Sequence, residues 1–269
     1  MMAKIKKLFK AFAEIIKEPA LLNKIIDDNG VWKNRVEAEF GLKNGFPVLS
    51  LDELFTDFKV SLNSFSFTGG GSLPTDIALL KKLCESKNDC TYFEIGTWRG
   101  ESVRNVSEVS KECFTLNLSN QEMIEVFGSE EYAEAHFFFS KGIENVTQLY
   151  GDSKKFDFAA LNKKFDVVFI DGNHHHDYIK SDTQNVFQFL TDDNTIVVWH
   201  DYAYNPESLR YETMHAILEA VPEELHKHLY FVANTMCAIF IKGNFKTHKF
   251  NPLSDPEVTY KVEICSKKI

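Results

Sequence analysis

Short apolar stretches recur along the middle of the chain, and helical patterns lie between most of them. Because strands that alternate with helices build βαβ units, this pattern predicts a parallel, twisted sheet. Two later apolar stretches, at 229–234 and 236–242, have one residue between them and predict an antiparallel hairpin at a sheet edge. The fold class is therefore α/β. The other strands are predicted at residues 91–95, 113–118, 145–150, 165–170 and 195–199.

The N-terminal segment 3–17 has apolar residues at helical spacing and lysines on its other face, which predicts an amphipathic helix that ends near Pro19. We expect this helix to pack on the domain or on a second subunit of a homo-oligomer. The alternative is a basic helix that lies on an anionic membrane surface. Residues 20–68 have mixed patterns and are expected to form a helical cover.

Three regions are expected from these patterns. They are a helical N-terminal extension at 1–68, the α/β domain at 69–245 and a tail at 246–269. The first boundary falls within the glycine-rich loop at 67–74. The tail contains one more alternating stretch at 258–264.

Charge is distributed unevenly along the 269 residues. The net charge is −9, but residues 1–17 carry +4, so the remainder carries −13. An acidic body repels a phosphate backbone, which argues against nucleic acid as a partner. The five cysteines show no CxxC spacing, and no stretch has about 18 continuous apolar residues. We therefore expect a cytoplasmic protein with reduced thiols and no membrane span.

The loop after the first of these strands, in "YFEIGTWRGES" at 92–102, has the spacing Gly96-x-x-x-Gly100 before a helix start. Such glycines allow a tight turn and bring backbone N–H groups toward a ligand, although the turn could also be purely structural. Trp98 stands where a dinucleotide-binding loop needs a second glycine, and no Walker A lysine follows. A nicotinamide oxidoreductase and a P-loop nucleotidase are therefore disfavoured.

Polar residues follow two further predicted strands. Asp171 ends one of them, and His200 and Asp201 follow the next. Ligands of open parallel sheets bind outside the carboxyl ends of the strands, so these side chains should converge on one cleft. Oxygen and nitrogen ligands suit a divalent ion such as Mg²⁺ or Mn²⁺, although a histidine favours a softer ion or no ion. The predicted metal ligands are Asp171, His200 and Asp201.

The segment Glu94 to Ser102 resembles motif I of the class I S-adenosylmethionine-dependent methyltransferases. Together with "TLNLSNQE", "GDS", "FDVVFIDGNHHHDYIKSDT" and "IVVWHDY", in that order, it resembles the methyltransferase 24 family over roughly residues 70–242. This resemblance implies a Rossmann-like fold with a seven-stranded, mostly parallel sheet, helices on both faces and a C-terminal antiparallel hairpin. It also implies that the domain at 69–245 binds S-adenosylmethionine.

The resemblance implies a role for individual residues in holding that cofactor. Asn117 stands where such enzymes usually place an acid on the ribose hydroxyls; an amide can still bond a hydroxyl but loses the strength of a charged acceptor. Asp152 and Ser153 match the position near the adenine. The methionine end and the sheet edge would be lined by Glu94, Gly96, Thr97, Trp98, Gly100, Ser102 and Asp171.

His174 lies three residues after Asp171, the offset at which the sugar O-methyltransferases that this branch resembles have a general base. An imidazole with an ordinary pKa near 6.5 can deprotonate a hydroxyl at neutral pH. The predicted function is methylation of a small hydroxylated molecule, of sugar or natural-product type, with catalytic residues His174 and Asp171. A binding module that keeps the fold without catalysis and a metal-dependent hydrolase are the alternatives.

Overall fold

The protein is described here by a computed structural model, which covers residues 2–17, 28–252 and 258–268. A central sheet of eight strands in the order β1-β9-β10-β6-β5-β2-β3-β4 organises most of these residues, and β7 and β8 form a separate two-stranded ribbon. The strands are β1 Val48–Leu49, β2 Thr91–Ile95, β3 Glu112–Asn117, β4 Val146–Tyr150, β5 Val167–Ile170, β6 Ile196–Trp199, β7 Ala203–Asn205, β8 Ser208–Leu209, β9 Leu229–Val232 and β10 Ala238–Phe240.

The sheet confirms the α/β prediction and adds one strand to it. Every pairing in it is parallel except those of β10, which runs antiparallel to both β6 and β9. The predicted seven strands are all present, and the hairpin of β9 and β10 is shorter than predicted. The eighth strand, β1, pairs with β9 through Val48 and Phe231. Its two residues are too few to produce a readable alternation, so the sequence did not indicate it.

Helices cover both faces of the sheet, as predicted. One face packs on α2, α8 and α9, and the other packs on α4 and α5. Successive residues of each strand point to opposite faces, so that Val168 joins the first core and Phe169 the second. The helices are α1 Met2–Lys17, α2 Asn29–Phe40, α3 Leu51–Leu54, α4 Pro74–Glu85, α5 Glu101–Ser107, α6 Asn120–Phe127, α7 Glu130–Ala135, α8 His176–Asn185 and α9 Tyr211–Ala220.

The N-terminal helix α1 forms as predicted, but none of the residues that the structure describes covers its apolar face. Leu8, Phe9, Phe12 and Ile16 are between 63% and 71% exposed. The expected packing on the domain is therefore absent from the described part of the chain, while a second subunit or a membrane surface stays a prediction. Within the same described ranges, no helix is both long and apolar enough to cross a bilayer.

The segment 28–68 contributes to the core of the sheet. Val36 of α2 is fully buried against the first face, and Leu49 of β1 is fully buried in the second. His248 forms an isolated bridge with Val48, which ties the start of the tail to this edge. The alternating stretch at 258–264 forms no strand in the structure.

Candidate active site

The carboxyl ends of β2, β3, β4, β5 and β6 meet at one edge of the sheet, and backbone hydrogen bonds join the loops that follow them. The Gly96 N–H donates to the Leu116 carbonyl at 2.8 Å, and the Asp171 N–H donates to the Ile95 carbonyl at 2.8 Å. The His200 N–H donates to the Ile170 carbonyl at 3.0 Å. The strand order thus places the predicted cofactor residues and the predicted catalytic residues along the same edge.

The glycines of the β2 loop are required by close contact with neighbouring loops. A Cβ at Gly96, where φ is +95°, would lie 2.0 Å from the Asp171 carbonyl oxygen. A Cβ at Gly100, where φ is +82°, would lie 2.6 Å from the Ser140 hydroxyl. Both positions therefore need glycine for space as well as for backbone conformation. Gly96 approaches the backbone of Asp171, so the loops after β2 and β5 are in direct contact. Gly100 approaches the side chain of Ser140.

Trp98 forms the wall of this loop. Its backbone is left-handed, with φ of +44°, and its ring packs against Tyr132 and His136 at centroid distances of 4.9 and 4.6 Å. The indole Nε1 is buried and has no hydrogen-bond partner in the structure. Buried donors are usually paired, so this one indicates a missing acceptor. Neighbouring Thr97 is buried and shares a 2.6 Å hydrogen bond with Thr115.

Glu94 lies beneath the loop, fully buried within β2. The Tyr92 hydroxyl donates to its carboxyl group at 2.7 Å and the Thr115 hydroxyl donates at 3.2 Å. Burial raises the pKa of Glu94 to about 8, because it outweighs the hydrogen bonds from Ser102 and Tyr92. The carboxyl group is therefore mostly protonated at neutral pH, and it supports the loop from below without being exposed to solvent.

The raised pKa of Glu94 predicts a pH-dependent stability. The unfolded chain ionises this group above its ordinary value of 4.5, whereas the folded chain keeps the proton until about pH 8. The free energy of unfolding should therefore fall between these pH values, by up to about 1.4 kcal/mol per unit, and level off above. Glu94→Gln, which cannot ionise, should lose this dependence. Urea denaturation at pH 5 and pH 8 would measure it.

The exposed Glu144 provides the matched control, because its carboxyl group is solvated in both states. Glu144→Gln should therefore show the pH dependence of the wild-type protein. Equal pH dependence in Glu94→Gln and Glu144→Gln would contradict the assignment of a raised pKa to Glu94.

The residues predicted for the ribose and adenine lie at the ends of β3 and β4. Asn117 is half-buried, and its amide group makes only a 3.6 Å contact with the Met123 sulfur. Asp152 accepts a 3.0 Å hydrogen bond from the Lys154 N–H in the turn after β4. Ser153 follows it and is half-buried. Asn117 is therefore placed with its polar group still available for a ligand.

A buried carboxyl group that the sequence did not indicate lies behind this region. Asp182 of α8 is fully buried, and neither of its oxygens has a hydrogen-bond partner in the structure. Burial raises its pKa to about 7, and the nearby Ser153 hydroxyl offsets only part of this shift. Gly172 lies next to Asp182, because a Cβ at Gly172 would be 3.6 Å from the Asp182 carboxyl group. Asp182 beneath the turn after β5 therefore keeps its proton to a much higher pH than an ordinary aspartate does.

His200 lies at the centre of a cluster of acids after β5 and β6. Its Nδ1 is 3.1 Å from Asp171 Oδ1 and 3.7 Å from Asp201 Oδ2. Its Nε2 is 3.2 Å from Asp76 Oδ2. Burial by itself lowers the pKa of this ring, but the charges and hydrogen bonds of the three acids outweigh it and raise the pKa well above its usual value. His200 is therefore a buried imidazolium that donates from both ring nitrogens.

Asp76 is the member of this cluster that sequence reasoning missed. It is fully buried on the first turn of α4, where it also accepts hydrogen bonds from the N–H groups of Leu73 and Met236 at 2.6 and 2.8 Å. An acid three residues into a helix is a recognisable capping signal. Its contact with His200 spans 124 positions, and no local pattern encodes that.

His174 also lies beside these acids, but unlike His200 it is solvated, with 57% of its side chain exposed. Its Nδ1 lies 3.5 Å from Asp201 Oδ2. Burial raises the pKa of Asp201, but the hydrogen bond and charge of His200, followed by the charge of His174, lower it to about 2. A permanently ionised Asp201 therefore faces one nitrogen of an imidazole whose other nitrogen is available to a ligand.

The three consecutive histidines diverge. His174 faces the acids, His175 is the exposed residue that precedes α8, and His176 turns toward α9.

The predicted metal ligands Asp171, His200 and Asp201 do converge, with one ligand atom of each within 4.8 Å of the others. Without an ion, His200 Nδ1 faces Asp171 and its Nε2 faces Asp76, which favours a proton on each nitrogen. Binding an ion through Nδ1 would release the proton there. A metal held by Asp171, His200 and Asp201 therefore stays a prediction.

Sequence comparison decides what kind of domain carries this site. Residues 93–202, from within β2 to the loop after β6, match the family Methyltransf_24, described as a methyltransferase domain. This part of the chain is therefore similar to a methyltransferase domain. The matched range includes the glycine loop, Asn117, Asp152, the histidine run, His200 and Asp201, but not Asp76. Among curated proteins, no sequence matches the chain.

Solved structures similar to this chain include methyltransferases. One is the S-adenosylhomocysteine-bound PaMTH1 of Podospora anserina, with 17% identity, coverage of 64% of this chain and 80% of that one, and a TM-score of 0.45. Another is an O-methyltransferase of Bacillus cereus in complex with S-adenosylhomocysteine, with 16% identity, 65% and 84% coverage, and a TM-score of 0.44. A third is CalS11, a TDP-rhamnose 3′-O-methyltransferase of calicheamicin biosynthesis, with 15% identity, 63% and 80% coverage, and a TM-score of 0.44.

Proposed function

We propose that the protein uses S-adenosylmethionine to methylate a hydroxyl group of a small molecule, of sugar or natural-product type. The observation that carries this proposal is the position of His174. It is exposed at the carboxyl edge of the sheet, in contact with an ionised Asp201, and it lies in the loop that also carries Asp171. The glycine loop, predicted to hold the methionine end of the cofactor, packs directly on Asp171.

The residues along the edge suit such a cofactor. The buried, unpaired Nε1 of Trp98 is a donor in need of an acceptor, and the amide group of Asn117 at the end of β3 can bond ribose hydroxyls. Asp152 and Ser153 follow the next strand, at the predicted adenine position. S-adenosylmethionine would supply an electrophilic methyl group when bound. The residues of this chain would orient it and exclude water.

His174 would take the proton from the acceptor hydroxyl. If its Nδ1–H donates to Asp201, its Nε2 has a free lone pair for that proton. Asp201 would then stabilise the imidazolium that forms, in the way that a carboxylate supports a catalytic histidine in hydrolases. Loss of that proton to Nε2 would make the acceptor oxygen a stronger nucleophile toward the methyl group that the cofactor would supply. Asp201 is a positioning residue in this scheme.

The metal-hydrolase alternative depends on His200 as a ligand, and only its Nδ1 could bind an ion, because its Nε2 faces Asp76. The alternative of a non-catalytic binding module depends on Asn117 in place of an acid. A methyltransferase would methylate an acceptor after the cofactor has bound, whereas a binding module would not.

Titration calorimetry with S-adenosylhomocysteine tests cofactor binding. We expect one site per chain, and we expect Asn117→Asp to tighten it about fivefold, because a charged acceptor adds roughly 1 kcal/mol to each hydroxyl bond. Asn120→Asp introduces the same charge at an exposed position three residues away and should change the affinity little. An absence of binding at millimolar ligand in both the wild-type protein and Asn117→Asp would contradict the proposal.

An acceptor screen then separates an enzyme from a binding module. Labelled S-adenosylmethionine would be incubated with sugar nucleotides and hydroxylated aromatic compounds. Transfer of label to an oxygen of one of these classes supports the proposal. Binding of the cofactor without transfer to any acceptor would favour the binding module.

A further inference from the structure

A second cluster of metal-ligand side chains lies on the other side of the histidine run, between α8 and α9. His176 Nε2 is 2.9 Å from His215 Nδ1 and 3.0 Å from Glu219 Oε2. His215 Nδ1 is 3.6 Å from the same carboxylate oxygen. His215 and Glu219 are four residues apart on α9 and therefore lie on one face of that helix. Three atoms that can each offer a lone pair thus surround a single point.

The proton positions around this point favour a cation between the three atoms. His215 is fully buried, and its Nε2 is 2.9 Å from Glu39 Oε2 of α2, which favours the proton on Nε2 and a lone pair on Nδ1. His176 Nδ1 is 3.3 Å from Asp177 Oδ1, which favours the proton there and leaves Nε2 with a lone pair. Three lone pairs facing one another at these distances repel unless a proton or a metal ion lies among them.

The spacing fits a tetrahedral ion. Zinc binds histidine nitrogen and carboxylate oxygen at about 2.0–2.2 Å, which places neighbouring ligand atoms of a tetrahedron roughly 3.3 Å apart. The three observed separations, 2.9, 3.0 and 3.6 Å, lie on either side of that value. Two histidines and one carboxylate form a common zinc ligand set that leaves a fourth position for water or another ligand.

The surroundings supply the support that metal-bound histidines usually have. The Glu39 carboxylate holds the far nitrogen of His215, which fixes the tautomer and orientation of that ring. The Trp32 ring stacks on His176 at 4.8 Å with an interplanar angle of 13°. The His176 N–H donates to Glu212 Oε1 at 3.0 Å, so the first residue of α8 is already attached to α9.

One of the charged side chains that face the cluster, Lys180, would compete with a metal ion for Glu219. Lys180 Nζ lies 3.3 Å from Glu219 Oε2, and Arg35 Nε lies 3.5 Å from Glu39 Oε1. The Lys180 side chain is 36% exposed and can turn toward solvent, which would leave Glu219 to an incoming ion. Arg210 pairs with Glu212 at 3.5 Å, and the acids Glu39, Glu219 and Asp177 lie beside the two histidines, where their negative charge favours a divalent ion.

We propose that His176, His215 and Glu219 bind one divalent transition-metal ion, with zinc as the best match to the ligand set. This site is separate from the cluster around His200. A metal here joins the first turn of α8 to α9, and through Glu39 it reaches α2. Because His176 directly follows the loop that carries Asp171 and His174, the ion would hold that loop in place.

Metal binding by the full-length, metal-stripped protein tests the proposal. Competition with a chromophoric chelator should give one Zn²⁺ per chain, and Co²⁺ should give the visible absorption bands of a tetrahedral site. His176→Gln and Glu219→Gln should abolish both signals. Glu39→Gln, which removes only the outer carboxylate, should weaken zinc binding about 10- to 100-fold. Lys180→Met should tighten it, because the competing cation is gone.

Asp201→Asn is the control for the other cluster and should retain the ion. Loss of zinc in Asp201→Asn but not in His176→Gln would overturn the proposal. The proposal would also be overturned if neither the wild-type protein nor Lys180→Met bound zinc. The cluster would then be a hydrogen-bonded histidine pair. Zinc should raise the melting temperature of the wild-type protein but not that of His176→Gln, which separates loss of the site from loss of folding.

Discussion

His174→Gln should lower kcat for methyl transfer by about 10²- to 10⁴-fold, the usual contribution of a positioned general base. The dissociation constant of S-adenosylhomocysteine should change little, because the proposed contact of this side chain is with the acceptor. Glutamine keeps the hydrogen-bonding capacity of the position but cannot accept a proton at neutral pH. Initial rates with the acceptor found by the screen, together with calorimetry, would separate the two effects.

His175→Gln is the matched control for this variant. It removes a histidine from the adjacent position, where the side chain is exposed and no contact with the acidic cluster exists. Its kcat should stay close to that of the wild-type protein. A similar loss of activity in His174→Gln and His175→Gln would contradict the role of His174 as base. So would a His174→Gln enzyme whose kcat equals that of the wild-type protein.

Asp76→Asn should destabilise the fold by about 3–5 kcal/mol, the usual effect of breaking a buried charge pair. Asp76 and His200 are both buried. Three acids stabilise the positive charge of His200, and Asp76 is the one that contacts its Nε2. Asparagine can still accept a hydrogen bond there, but it does not compensate the charge. The midpoint of urea denaturation at pH 7 would measure the change in the free energy of unfolding.

Asp52→Asn provides the comparison for that substitution. Asp52 is also an acid in the first turn of a helix, but its side chain is exposed. Its replacement should cost only what the helix dipole contributes at a solvated position, about 0.3–1 kcal/mol. A cost for Asp76→Asn as small as that for Asp52→Asn would mean that His200 is not held as a buried imidazolium.

Part of the site could be predicted from local patterns. Asp171, His200 and Asp201 each directly follow an apolar stretch, and parallel strands bring their carboxyl ends to one edge. Their convergence could therefore be predicted before the structure was available. The protonation of His200 could not, because it depends on Asp76, which lies 124 positions away on another helix. That contact is what makes the predicted metal ligand a cation.

Burial decided two other roles. The sequence indicates that Glu94 belongs to the glycine loop, but only the structure shows that Tyr92 and Thr115 enclose it and that its pKa rises. The run of three histidines gives no hint of where each ring points. His176 meets His215 only because α8 packs on α9, and His215 meets Glu39 across 176 positions because α2 packs there as well.

The sequence by itself determined the alternation of strands and helices, the hairpin, the amphipathic nature of α1 and the edge of the sheet where the chemistry lies. These features depend on periodicity and on residue types within a few positions of one another. Only the tertiary structure decided which acids surround His200, which histidine faces the acids and that the apolar face of α1 stays exposed among the described residues. These features depend on contacts between distant segments, whose distances and solvent exposure are fixed only when the helices pack on the sheet.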